Sequence, residues 1–158
     1  MLGTYDRLGL LEIAQGSYTL GDPIHGVEHW LAVEEAAVEM AYELGADVEI
    51  ASMFGLLHDC LRQNSWHDPE HGLRAARLAA EINADVLGLP RVRLQKLTYA
   101  VQHHDAGMVS DDIDVSTCWA ADRRQLRRVG VEPSRQFFCD RTWPIVQRML
   151  AREVQAAA

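Results

Sequence analysis

The sequence predicts an all-α chain, a single-domain helical bundle of six to seven helices. Apolar residues recur at intervals of three and four nearly throughout, and strand patterns are almost absent. There is no internal repeat, low-complexity tract or long Gly/Pro/Ser linker to divide the chain. Its 158 residues suit one compact domain, 1–158, large enough to bury a core around a functional site.

Each element follows in order. Leu8, Leu11 and Ile13 suggest a first helix ending near Gly16, and Asp22-Pro23 opens a second. Its apolar positions Val27, Leu31, Val33, Ala37, Met40, Ala41 and Leu44 share one helical stripe, and Gly45 closes it. Asp47 reads as an N-cap with Glu49 in the first turn. The helix it starts, through Ile50, Met53, Phe54, Leu57 and Leu61, is apolar enough to be the buried central one, with His58 and Asp59 near its end. The stretch from Gln63 to Glu70 is turn-rich. Pro69 then marks a helix start, with His71 in its first turn and an end near Ile82. Pro90 begins the next helix, which runs through Val92, Leu94, Leu97, Ala100 and Val101 to His103 and His104 at its C-terminal end. Asp111 and Asp112 start a segment containing Trp119, Ala120, Ala121 and Asp122, followed by Arg123 to Val129 and a stop at Gly130. A last amphipathic helix, Trp143 to Val154, leads into an alanine tail.

Adjacent His58 and Asp59 at the end of the apolar run 51–57 are the most informative feature, because His29, His71, His104 and Asp122 occupy helical positions around them. Imidazoles and carboxylates carried by successive helices are how a bundle builds a metal site in its core. Helical neighbours point about 100° apart, so His58 and Asp59 converge on one ion only if the helix end faces the site. An Asp placed there can also bridge two metals. His25 and His29 lie four apart; His25 falls near the N-cap, which favours His29 as the ligand. Of His103 and His104 one faces inward, and the other is open to ligation or to a supporting role. Asp122, in an apolar stretch, needs either a cation or an ion pair with Arg123 or Arg128. A His and carboxylate donor set suits Fe, Mn, Co, Ni or Zn rather than Ca, and the lack of thiolate pairs argues against structural zinc.

Composition narrows the partners. A formal charge of −8 argues against a nucleic acid polymer or an anionic membrane surface, while local arginines can still hold a small phosphate. Cys60, Cys118 and Cys139 are odd in number and far apart, as reduced thiols of a cytoplasmic protein would be. The N-terminus has no signal-peptide pattern, and no apolar run reaches membrane-spanning length.

The order His29, His58-Asp59, Asp122 on an all-α chain resembles the HD-domain superfamily of metal-dependent phosphohydrolases, whose name comes from that doublet. The resemblance runs from about His25 to Gly130, leaving 131–158 as a C-terminal helical extension. It rests on the segments His29-Trp30-Leu31-Ala32-Val33, Leu56-Leu57-His58-Asp59-Cys60-Leu61-Arg62 and Ala121-Asp122-Arg123. Two more, His71-Gly72-Leu73-Arg74-Ala75 and Ala100-Val101-Gln102-His103-His104, are similar to the extra histidine positions of HD proteins with a dinuclear centre. The resemblance implies that His29, His58 and Asp122 bind one metal, His71 and His104 a second, and that Asp59 bridges them. It extends to small bacterial HD proteins without an assigned activity, through Cys118-Trp119 and Arg128-Val129-Gly130. Those proteins tend to read Asp-Ala-Asp-Arg-Leu-Asp where this chain has Ala120-Ala121-Asp122-Arg123-Arg124-Gln125. The acids absent at Ala120 and Gln125 bear on substrate choice or metal selectivity.

The implied activity is hydrolysis of a phosphate ester or anhydride in a nucleotide-like small molecule, with two divalent ions as cofactors. Asp59 and Arg62 are the candidate catalytic residues, Arg62 for contacting phosphate. The same ligands would serve an HD-type di-iron oxygenase, distinguished by oxygen consumption and an iron requirement. A non-catalytic nucleotide or metal binder would bind without forming product.

Overall fold

The computed structural model describes residues 5–156. It contains α1 (Arg7–Ser17), α2 (Val27–Leu44), α3 (Val48–Leu57), α4 (His71–Glu81), α5 (Arg91–His103), α6 (Ile113–Arg124) and α7 (Trp143–Ala156). A π-helical turn at Asn83–Leu87 and 3-10 turns at Gln125–Val129 and Arg135–Phe137 join them. No strand occurs among the described residues, so the all-α expectation holds. No helix among them is long and apolar enough to cross a membrane.

α3 is the centre because it is apolar all round: every residue from Ile50 to Leu57 is buried. α2 packs along its length, and α1, α5 and α6 cover its other sides. The contact with α2 is close enough to require a glycine. A Cβ on Gly55 would lie 2.4 Å from the Glu34 Cα and 2.6 Å from its backbone nitrogen. Glu34 is itself buried, and its carboxylate accepts from Arg7 Nε (2.7 Å), Arg7 Nη2 (2.6 Å) and Ser52 Oγ (2.5 Å), which fastens α1 to the pair. At the start of α3, Asp47 caps the backbone N–H groups of Glu49 and Ile50 and also receives Arg93 of α5 (2.6 and 2.7 Å).

α7 packs on α6 and adds to the same core. It buries Ile145, Val146, Met149 and Leu150, and ion pairs fix its outer face: Arg148 with Glu43, Arg152 with Glu39, and Glu153 with Arg124.

Two boundaries differ from the sequence expectation in ways that shape the site. α2 begins at Val27 rather than at Asp22-Pro23. The Asp22 carboxylate accepts from the Ile24 N–H (2.8 Å) and its carbonyl from the Tyr18 hydroxyl (2.8 Å), a local turn that competes with helix. His25 is therefore on a loop. α3 ends at Leu57 instead of continuing to Leu61, and 58–61 form a turn, so the doublet caps the helix. Gly16, expected as a stop, is inside α1, which runs one residue further.

Gly55→Ala should cost about 1–3 kcal/mol, because the new methyl meets backbone that cannot yield without moving a helix. Chemical denaturation of the two proteins checks this: an unchanged midpoint would contradict the close approach of α2 and α3.

Candidate metal centre

The C-terminal ends of three helices, α3, α5 and α6, and the first turns of two more, α2 and α4, meet at one place. His29 is in the first turn of α2, His58 is the C-cap of α3, His71 opens α4, His104 is the C-cap of α5, and Asp122 lies in the last turn of α6. His29, His58, Asp59, His71 and His104 are all buried; Asp122 keeps about 20% of its side chain exposed, toward a cleft. The six residues singled out from the sequence thus come together.

Helix ends explain how the rings are aimed. The last carbonyls of a helix lack intrahelical partners, and here ring nitrogens take them. His58 Nδ1–H donates to the Gly55 carbonyl (3.0 Å) and His104 Nδ1–H to that of Val101 (2.7 Å), while His71 Nδ1–H donates to the carbonyl of Asp68 before α4. A carbonyl can only accept, so these bonds place a proton on Nδ1 and, in the neutral ring, leave a lone pair on Nε2. Phe54 stacks on the His58 ring at 5.2 Å. Gly72 allows α4 to reach the end of α5, since a Cβ there would sit 2.7 Å from the Val101 and Gln102 carbonyls.

The Nε2 atoms fall into two pairs. His29 and His58 face each other at 3.1 Å, and His71 and His104 at 3.0 Å. Asp59 lies between, one oxygen to each pair. Its Oδ2 is 3.6 Å from His29 Nε2 and 3.8 Å from His58 Nε2; its Oδ1 is 3.2 Å from His71 Nε2 and 3.5 Å from His104 Nε2. Asp122 Oδ1 completes the first group, 3.3 Å from His29 and 3.5 Å from His58.

Lone pairs on His71 and His104 at that separation repel unless a cation, proton or metal, lies between them. His29 Nδ1 is buried without a partner. The donor set, nitrogen and carboxylate oxygen converging from both sides of one acid, is compatible with divalent metal ions.

Electrostatics agree. Burial alone would raise the Asp59 carboxyl, but His58, His104, His25 and His71 outweigh it and hold it well below the ordinary 3.8. Asp122 is likewise held low against burial, by His29 and His58. Burial opposes a charge on His58, yet Asp59 and Asp122 raise it overall, whereas burial prevails at His29 and lowers it.

Several residues near the centre were not chosen from the sequence. His25, set aside in favour of His29, reaches from its loop to Asp59 Oδ2 through Nδ1 (3.0 Å) and donates from Nε2 to the Ser65 carbonyl (3.2 Å). Its four-residue spacing from His29 was the available signal. Asp105 lines the cleft with no sequence signal beyond its place after His104. His103 faces away, its ring 4.8 Å from that of Tyr99. Arg62 Nε donates to Asp59 Oδ1 (3.3 Å) and Nη1 to the Asn64 carbonyl (3.2 Å). Arg123, one alternative partner for Asp122, donates instead to the carbonyls of Phe137 (2.6 Å) and His104 (3.3 Å) and lies over Trp119. A cleft of about 310 Å³ opens onto His29, Asp59, His104 and Asp122.

The fold is similar to the crystal structure of a predicted HD superfamily hydrolase from an uncultured Thermotogales bacterium, with a TM-score of 0.72 over 95% of this chain and 88% of that one. Sequence identity is 21%. The likeness is one of fold. The sequence matches no family model and no curated protein.

The metal-free protein should be most stable near pH 6.5. The raised His58 contributes stability that is present below its ordinary 6.5 and lost as pH rises through its folded value. The lowered His29 acts oppositely, costing stability as pH falls below 6.5. The depressed Asp59 and Asp122 contribute above the ordinary 3.8 and lose that contribution as pH falls further. Melting temperature against pH in the presence of a chelator checks this; a curve that keeps rising well above neutrality would contradict it.

Proposed function

We propose that the protein is a metal-dependent phosphohydrolase acting on a phosphate ester or anhydride in a nucleotide-like small molecule, with two divalent transition metal ions drawn from Fe, Mn, Co, Ni or Zn. The observation that carries the reading is Asp59, whose two oxygens face two separate histidine pairs. His29, His58 and Asp122 would hold one ion, His71 and His104 the other, with Asp59 shared. Bound there, the ions would supply an acidified water and neutralise charge on phosphoryl oxygens.

The chain's own groups define the rest of the chemistry. Arg62 and His25 hold Asp59 from opposite oxygens, at 3.3 and 3.0 Å, and so fix the plane of the shared carboxylate. Asp122 lines the cleft together with His29, Asp59 and His104, and substrate would approach the centre from that side. Arg62 is a candidate for contacting phosphate through the guanidinium nitrogen left free by its two protein bonds. The three free cysteines fit a reducing, cytoplasmic setting.

Mass spectrometric metal counting on the wild type and His71→Ala, with a phosphatase and nucleotide screen, tests this. Two equivalents are expected in the wild type and one in the variant. Turnover should fall roughly a hundredfold or more, since a lost ion withdraws several kcal/mol of charge stabilisation. One equivalent in both with unchanged turnover would remove the second metal. Oxygen consumption without phosphate release would remove the hydrolase.

Asp59→Ala should empty the centre most completely. The metal-dependent rise in melting temperature should then vanish, because binding to the native state alone is what stabilises it. Metal content equal to wild type in that variant would refute the assignment of Asp59.

A further inference from the structure

Three arginines line the cleft, and they are not equivalent. Arg123 is spent on the Phe137 and His104 carbonyls, and Arg62 commits two nitrogens to Asp59 and Asn64. Arg128, on the 3-10 turn after α6, makes no hydrogen bond or ion pair with any described residue. It nonetheless faces the acids of the site: burial lowers its pKa, while Asp122, Asp59 and Asp22 act to raise it. A guanidinium left without a protein partner keeps its donor fork for a ligand, and that fork matches phosphate oxygens.

The remainder of the cleft is of a different kind. Its floor is the buried centre, whereas Ile24, Leu126, Val129 and Phe137 at the rim are 42%, 39%, 44% and 37% exposed. Pro133 and Phe138, both buried, line the cleft behind this rim. At about 310 Å³ the cleft is at the small end of ligand sites, which run from about 300 to 1,000 Å³. One compact organic group fits there beside a phosphate, and a second nucleoside would have to extend beyond the rim.

We propose that Arg128 receives the substrate's terminal phosphate and that the apolar rim receives a single compact ring, so that the site takes phosphate monoesters of mononucleotide size or smaller and discriminates against dinucleotides. This rests on the phosphohydrolase reading and goes beyond it in naming the anion-binding residue and the size class. Arg128 acts on binding, and the rim on the organic group, so the two halves of the site separate experimentally.

Inorganic phosphate binding to the metal-loaded protein is measured by calorimetry, with metal content counted in every sample. Arg128→Ala should weaken phosphate at least tenfold with metal content unchanged, and Arg128→Lys should recover part of the loss. Leu126→Trp should leave phosphate binding within twofold of wild type while lowering kcat/KM for phenyl phosphate at least tenfold. A 5′-mononucleotide should be hydrolysed with higher kcat/KM than a dinucleoside polyphosphate. Phosphate affinity within twofold of wild type in Arg128→Ala, absence of saturable phosphate binding in the wild type, or equal use of the dinucleotide overturns the proposal. If the metal-loaded wild type releases phosphate from no ester, the hydrolase reading fails, and the phosphate-binding comparison still judges Arg128.

Discussion

A carboxylate buried among five imidazoles is the constraint around which the molecule is organised. Asp59 is 3% exposed, too far from water to remain charged without compensation. Each of its oxygens has positive or cation-binding partners: His25, His29 and His58 on one, Arg62, His71 and His104 on the other. Meeting that demand requires elements far apart in sequence to end at the same place. The close packing of α2 on α3 at Gly55, and of α4 on α5 at Gly72, is what brings those ends together. An uncompensated charge of this kind costs several kcal/mol, comparable to the net stability of a whole domain. Packing and site are therefore not separable here.

The division between what the sequence reveals and what it hides follows the physics of each. Helix existence was legible because apolar periodicity is a property of the chain alone, as in α3 and α5. The candidate site residues were legible because a histidine or aspartate at the end of an apolar stretch is costly and stands out, as with His58 and Asp122. Boundaries were less so. The periodicity of α3 continues to Leu61, but the chain turns at His58, whose imidazole takes the carbonyl that the next helical turn would have used. The Asp22 turn hid His25 in the same manner: a side chain and a hydroxyl bonded to local backbone displaced the first turn of α2, and no count of apolar residues registers that.

The arginines were harder still. Arg62, Arg123 and Arg128 are alike in sequence, each just beyond a candidate ligand or in the turn after it. Their acceptors distinguish them: Asp59 and the Asn64 carbonyl take Arg62, while Arg123 depends on how α5 ends and where Phe137 lies. Asp105 belongs to the same class. Its position relative to the cleft is fixed by the turn after α5, which carries no pattern of its own.

The bonds from His58, His71 and His104 to backbone share one further property: each ring is held by the carbonyl three residues before it. Each such ring is thus oriented by a bond within its own segment. Bringing these segments together therefore leaves the rings little further rotamer freedom to lose. By the same logic, inherited changes to one helix would shift one ring as a rigid body and leave the aim of the others intact.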